Sequence, residues 1–238
     1  MKLILIGHGK MGKLLEQSAA ERGDKVVAAL NSASLDQLSA LPAADMVIDF
    51  SRPEALDAVC AYVRRTGTAL LSGTTGYTPE QMNKLRALGA YAPVLYAANY
   101  SLGIAVFERM LSQISDTLKP EFDIEIEETH HNQKADAPSG TAKLLLHAID
   151  PDGAYTPVYG REGSTGKRTK KEIGVHALRG GTVAGTHTVH FFGLDEELEI
   201  THRAGSRQIF VSGALHAAHL LADRPKGCVD LQNLLFGE

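Results

Sequence analysis

Residues 2–12 read Lys2-Leu3-Ile4-Leu5-Ile6-Gly7-His8-Gly9-Lys10-Met11-Gly12. A run of large aliphatics passes directly into a glycine-spaced turn. An uninterrupted apolar run of this length is the pattern of a parallel strand buried on both faces. Met11, Leu14, Leu15, Ser18 and Ala19 then recur at helical spacing, so a helix opens inside the turn. Gly-x-Gly-x-x-Gly between a strand and a helix is the dinucleotide-binding fingerprint, and it carries weight only in that context. Gly7 permits the tight turn, Gly9 lets a pyrophosphate approach the backbone, and Gly12 lets the helix pack close on the strand. The helix start offers amide donors and the positive end of its dipole to phosphate. His8, Lys10 and Met11 share this loop and are predicted to border the dinucleotide.

Working outward, strands are predicted at 25–30, 46–50, 68–71 and 93–97. They alternate with helices at 11–22, at 53–65, and from Pro79, where Thr78 is the predicted N-cap. This alternation predicts an α/β domain: a Rossmann-type, doubly wound parallel sheet covered on both faces. Ligands of such sheets sit at the carboxyl ends of strands. Ser51, the turn Gly73-Thr74-Thr75 and the segment Ala97-Ala98-Asn99-Tyr100 therefore join the predicted cofactor site. Asn31 ends the second strand, where an acidic residue would read the ribose 2′-hydroxyl and repel a 2′-phosphate. Asparagine can do the first without the second, and Ser32 stands where an arginine would favour NADP. The expectation is that both NADH and NADPH are accepted.

The pattern changes after residue 101. A helix is predicted over 101–118. Residues 121–129 then alternate strictly, with Phe122, Ile124 and Ile126 against Asp123, Glu125 and Glu127, so a strand with a solvated acidic face is expected. A helix near 139–149, strands near 172–179, 185–192 and 196–203, and a helix over 207–222 follow. The predicted division is residues 1–100 with 208–238 as the dinucleotide-binding domain. Residues 101–207 form a smaller α+β domain, with an open mixed sheet, for substrate binding and oligomerisation. Residues 151–171 read as a solvated surface loop; the competing expectation is that Arg161, Lys167, Arg168, Lys170 and Lys171 meet an anionic ligand.

The 238 residues carry 44% apolar and 22% charged side chains, an ordinary globular balance. A net charge of −4 argues against nucleic acid as the partner. No apolar run approaches the ~20 residues of a membrane span, and the short run before Gly7 is too brief for a secretory signal, so a cytoplasmic protein without a membrane partner is expected. Cys60 and Cys228 form no metal-binding or disulfide pattern. All ten histidines but His8 lie from residue 130 onward.

The densest chemistry is the stretch from Thr129 to Thr141. His130, His131 and Lys134 place two imidazoles and an ammonium within five residues. Pro138-Ser139-Gly140-Thr141 then starts a helix whose first amides can bind a carboxylate, with Asp136 as the predicted cap. Proton-transfer groups are thus joined to an anion cradle. No metal is expected, because Lys134 would repel a cation and no matching ligand set accompanies the histidines.

The stretch His130-His131-x-x-Lys134-x-Asp136-Ala137-Pro138-Ser139-Gly140-Thr141-Ala142 resembles the signature of the 4-hydroxy-tetrahydrodipicolinate reductase (dihydrodipicolinate reductase) family. The resemblance runs the length of the chain. It takes in the glycine loop, Asp49-Phe50-Ser51, Gly73-Thr74-Thr75-Gly76, Ala98-Asn99-Tyr100-Ser101, Arg179-Gly180-Gly181, Gly185-x-His187 and His202-Arg203-Ala204. Asn31-Ser32 departs from it, since many members carry an acidic residue there. The resemblance implies NAD(P)H-dependent reduction of a cyclic dicarboxylate imine in diaminopimelate and lysine biosynthesis. It implies His130 as proton donor and acceptor, Lys134 as proton donor, and His131, Ser139, Gly140 and Thr141 as carboxylate contacts. It also implies a homotetramer and hinges near Asn99–Ser101 and Arg207–Ser212. Two readings compete. A semialdehyde dehydrogenase would need an active-site cysteine that neither Cys60 nor Cys228 supplies. A nucleotide-binding redox sensor without catalysis would have little use for Lys134 beside His130.

Overall fold

A computed structural model of the chain describes residues 1–237. The chain divides into two compact units: Met1–Ser101 together with the chain from Gln208 onward, and Leu102–Arg207.

The first unit is built on six parallel strands, numbered along the whole chain. They are β1 (Lys2–Ile6), β2 (Lys25–Leu30), β3 (Met46–Asp49), β4 (Ala69–Ser72), β5 (Pro93–Tyr96) and β11 (Gly227–Val229), in the order β11-β5-β4-β3-β1-β2. β1 shows why its sequence is uninterruptedly apolar. Leu3 and Leu5 enter one core with Leu15 of α1 (Lys10–Glu21) and Val211, Leu215 and Leu221 of α6 (Gln208–Ala222). Ile4 and Ile6 enter the opposite core with Val59 and Val63 of α2 (Leu56–Thr66) and Leu85 of α3 (Pro79–Ala87). Each such side chain contributes about 1.5–3 kcal/mol when fully buried. β2 lies on one side of β1 and β3 on the other. The strand order therefore reverses at β1, and the carboxyl ends of β1 and β3 flank the switch point where such sheets bind ligands.

Local chemistry sets the helix ends. α3 opens with a capping box: the Gln81 amide donates to Thr78 Oγ1 at 3.2 Å and the Thr78 amide to Gln81 Oε1 at 3.0 Å. The helix predicted from Pro53 begins instead as a 3-10 turn, Pro53–Ala55, before α2 proper.

The second unit contains α4 (Leu102–Leu118), β6 (Asp123–His130), α5 (Gly140–Ile149), β7 (Thr156–Val158), β8 (Glu172–Arg179), β9 (Thr186–Phe192) and β10 (Glu197–Arg203). Its sheet, β10-β9-β6-β8-β7, is mixed: β6 is antiparallel to β9 and parallel to β8. Ile124, Ile126, Ile173, Val175, Val189 and Phe191 pack on Phe107 and Leu111 of α4 and Leu145 and Ile149 of α5.

Two expectations are corrected here. The acidic face of β6 is not simply solvated. Glu125 receives Arg161 at 2.8 Å, Arg168 at 3.2 Å and His176 at 2.7 Å, and Asp123 receives Arg168 at 3.1 Å. Burial opposes ionisation of Glu125, but the hydrogen bonds from Arg161, His176 and Arg168 prevail and hold its carboxyl at about 2. The basic segment is correspondingly not a free loop. Arg161 and Arg168 fasten it to the sheet, and Lys170 donates to the Glu121 carbonyl at 3.0 Å. β7, β11 and a last helix, α7 (Leu231–Phe236), were not expected; the two strands have three residues each, too few to display a period.

Candidate active site

In the first unit, the glycine loop divides its labour as the spacing predicts. Gly7 has φ +94°, and a Cβ there would stand 2.2 Å from the Phe50 carbonyl oxygen. A Cβ on Gly12 would stand 2.1 Å from the Gly7 carbonyl oxygen, whereas one on Gly9 would meet nothing within 4 Å. Gly7 and Gly12 are therefore required by packing, and Gly9 leaves open space at the start of α1. Gly9 is the N-cap, makes no side-chain cap bond, and is followed by no acidic residue in the first turn. The first turn of this helix thus carries no carboxylate of its own to neutralise its positive end, which fits a bound phosphate. Lys10 is exposed beside it, Met11 is half-buried, and the His8 ring is drawn to Glu16 at 2.7 Å.

The neighbouring strand ends are held by a buried carboxylate. Asp49, 1% exposed, accepts from the Ser51 amide at 3.1 Å, from Tyr77 Oη at 3.1 Å and from Ser72 Oγ at 3.3 Å, and also from the Ser51 hydroxyl. Its pKa is raised, because burial outweighs these bonds. The Ser51 amide also reaches Thr74 Oγ1 at 2.9 Å, so the Thr74 hydroxyl serves the turn itself. Tyr100 is buried, donates to the Ser72 carbonyl at 2.8 Å and packs its ring 5.7 Å from that of Phe50. Among Ala97–Tyr100, the tyrosine side chain is therefore core. Asn99 Oδ1 accepts the Ser101 amide at 2.8 Å; Ala97 and Gly73 are half-buried, and Ala98 and Thr75 are exposed. Asn31 is exposed directly after β2, and its Oδ1 accepts the Ala33 amide at 2.9 Å.

In the second unit, β6 delivers His130 at its carboxyl end. Two residues earlier, Glu128 is fully buried. Its carboxylate takes Arg179 in a fork, Nη1 to Oε2 at 3.0 Å and Nη2 to Oε1 at 2.8 Å, and accepts the Ser139 amide at 3.0 Å. The same carboxylate also meets Nδ1 of His130. Burial opposes ionisation of Glu128, but Arg179, His130 and Ser139 overcome it and hold the carboxyl below its usual range. His187 of β9 stands edge-on to His130 with ring centroids 5.1 Å apart, and its Nε2 lies 3.1 Å from Ser139 Oγ. Desolvation first, then neighbouring charge, lowers the His187 pKa to about 4. Desolvation likewise lowers His130, against the pull of Glu128.

Lys134 follows in a short turn, its amide donating to the His131 carbonyl at 3.1 Å and its Nζ 2.9 Å from Asp136. The predicted cap is corrected at this point. Asp136 is occupied by Lys134, and α5 is capped by Ser139, whose Oγ accepts the Ala142 amide at 3.1 Å. The Ser139 hydroxyl is thus committed to the helix start and to His187. Gly140 and Thr141 provide the first two amides of α5, and a Cβ on Gly140 would meet nothing within 4 Å.

Glu128 is the residue that sequence reasoning missed. The signal was available: the alternation that turns Ile124 and Ile126 inward turns residue 128 inward as well, and an inward carboxylate demands a partner. The Glu128, His130 and His187 ligand atoms lie within 4.8 Å of one another, but Arg179 already grips both carboxylate oxygens and brings a positive charge to the cluster.

Family models for the N-terminus and the C-terminus of dihydrodipicolinate reductase match residues 1–100 and 103–235. The chain belongs to the dihydrodipicolinate reductase family. A relative named 4-hydroxy-tetrahydrodipicolinate reductase from an Exiguobacterium strain is 39% identical over 98% of this chain and 95% of its own. One of the same name from Clostridium novyi is 40% identical over 98% of each chain. Among solved structures, a dipicolinate-bound dihydrodipicolinate reductase from Paenisporosarcina shares the fold at TM-score 0.78 and 22% identity, covering 98% of each chain. An amine dehydrogenase from Mycobacterium smegmatis shares it at TM-score 0.63 and 12% identity, over 96% of this chain and 94% of its own. As a member of the dihydrodipicolinate reductase family, the chain is an oxidoreductase of amino-acid biosynthesis that works with a nicotinamide cofactor.

Proposed function

We propose that this protein reduces 4-hydroxy-tetrahydrodipicolinate to tetrahydrodipicolinate, with NADH or NADPH as reductant, in the diaminopimelate and lysine pathway. The observation that carries this reading is the segment from His130 to Thr141. It joins an imidazole, an ammonium and the open start of a helix within one turn of chain, and the family match covers both units. No feature favours a non-catalytic redox sensor.

The first unit is assigned the dinucleotide and the second the substrate and subunit assembly. Gly7, His8, Gly9, Lys10, Met11 and Gly12 receive the pyrophosphate, and Asn31 the adenosine ribose. Ser51, Gly73, Thr74, Thr75 and the Ala97–Tyr100 backbone border the nicotinamide. When bound, NAD(P)H would supply a hydride to C4 once the 4-hydroxyl has left as water with a proton from the adjacent ring carbon, and the proton later given to the ring restores that carbon. The Gly140 and Thr141 amides, with His131, hold a substrate carboxylate by the field of the helix start; Ser139 shapes that start through its cap. Lys134 gives a proton to the ring as electron density builds there, and His130 exchanges one through Nε2. A homotetramer in the cytoplasm completes the proposal; among the described residues, no helix is long and apolar enough to cross a membrane.

The test is absorbance at 340 nm, with substrate made by condensing pyruvate with aspartate semialdehyde. Oxidation of NADH, NADPH or both is the expected result. No oxidation of either by folded protein would overturn the proposal.

A further inference from the structure

The β6 register buries a carboxylate that the reaction itself does not call for. Glu128 follows Ile124 and Ile126 onto the inner face and has no solvent exposure. An unpaired carboxylate there would be strongly destabilising, and the fold surrounds it instead with donors. Arg179, paired in register with His130 across β6 and β8, supplies two. The Ser139 amide supplies a third at 3.0 Å. The fourth partner is Nδ1 of His130.

An ionised carboxylate only accepts hydrogen bonds, so the imidazole nitrogen that meets it must carry the proton. A neutral His130 is then locked with its proton on Nδ1 and its lone pair on Nε2. The approach to Nε2 is kept clear by Gly185. A Cβ there would stand 3.1 Å from that atom, and φ +156° disfavours any side chain. The remaining charged or titratable groups around the ring are Arg179 on β8, His187 on β9 and Lys134 in the following turn.

We propose that Glu128 is the positioning residue of this site: one carboxylate fixes the His130 tautomer and, through the Ser139 amide, seats the start of the carboxylate-binding helix against that ring. This rests on the reading above that His130 moves a proton. It adds that proton exchange at Nε2 and anion binding at Gly140–Thr141 are set by the same buried group. Arg179 holds that carboxylate ionised and donates besides to the Leu178 and Asp136 carbonyls.

The experiment is Glu128→Gln in the full-length protein, with two readouts. Long-range proton–nitrogen spectra of the His130 ring, assigned with His130→Gln, need neither substrate nor turnover. The wild type is expected to show protonated Nδ1 and bare Nε2 at neutral pH, and E128Q to lose that preference. In the 340 nm assay, E128Q is expected to lower kcat roughly 10- to 100-fold. The His130 pKa in the pH profile of kcat/KM should move down, because the anion that favoured the imidazolium is gone. Dinucleotide affinity should be unchanged. If E128Q does not fold, E128Q/R179M removes both charges of the pair and is read in the same two ways. An unchanged tautomer, or a normal kcat with an unmoved pH profile, would overturn the positioning role. A wild type with the expected tautomer but no turnover would instead overturn the proposed activity.

Discussion

The α-carbon of Gly12 lies so close to Gly7 that a methyl group on it would sit 2.1 Å from the Gly7 carbonyl oxygen, while the same methyl on Gly9 would enter open space. The two glycines should therefore fail differently. Gly12→Ala forces backbone against backbone and should destabilise the fold by about 1–3 kcal/mol or more, read as a fall in Tm. Gly9→Ala should change stability by less than about 1 kcal/mol and weaken dinucleotide binding at least several-fold, read by fluorescence titration. A Gly9→Ala protein that binds normally would exclude the loop as the pyrophosphate site.

The Lys134 ammonium pairs with the exposed Asp136 at 2.9 Å, a partner it can exchange for substrate. Lys134→Ala should lower kcat about 10²- to 10⁴-fold, the usual range for a lost proton donor, with nucleotide affinity intact. Near-normal turnover would remove it from the mechanism.

Asn31 offers a sharper test of cofactor choice. Its Oδ1 accepts the Ala33 amide, a bond that aspartate can also accept, so Asn31→Asp should leave the turn in place and add only charge. The kcat/KM ratio of NADH to NADPH should then rise roughly fivefold or more, since repulsion of a 2′-phosphate is worth about 1 kcal/mol or more at contact distance. An unchanged ratio would show that residue 31 does not face the ribose.

His187 should make the protein acid-sensitive. Its folded-state pKa is about 4 against an ordinary 6.5, so the unfolded chain binds the proton more readily. Stability is full above about pH 6.5 and is lost as pH falls towards 4, by up to about 3 kcal/mol. Urea unfolding at pH 7.0, 5.5 and 4.5 should show this slope, and His187→Gln should flatten it. A wild-type slope that persists in the variant would assign the effect elsewhere.

Much of the first unit was legible because its signals are local. β1 announces two-sided burial through Leu3-Ile4-Leu5-Ile6, and Thr78-Pro79 announces a helix start within two residues. The site was legible where it is contiguous, from His130 to Thr141. What escaped depends on distant partners. The cap moved from Asp136 to Ser139 because Lys134 claims the aspartate. The role of Glu128 needs Arg179, 51 residues away, and the fate of Glu125 needs Arg161 and Arg168 on a segment whose composition suggests only solvation. Pattern gives the face on which a residue lies, but not which charge will be waiting there.

β1 depends for its cover on residues from 211 onward. Leu3 and Leu5 share their core with Val211, Ala214, Leu215 and Leu221 of α6 and Leu234 of α7, and β11 adds the edge beside β5. On the ribosome, the contiguous stretch 102–207 can complete its own sheet while the amino-terminal segment still waits for its closing pieces. The first unit is thus begun before the second and completed after it. A nascent chain halted near residue 207 would expose a greasy, half-covered sheet to chaperones and proteases.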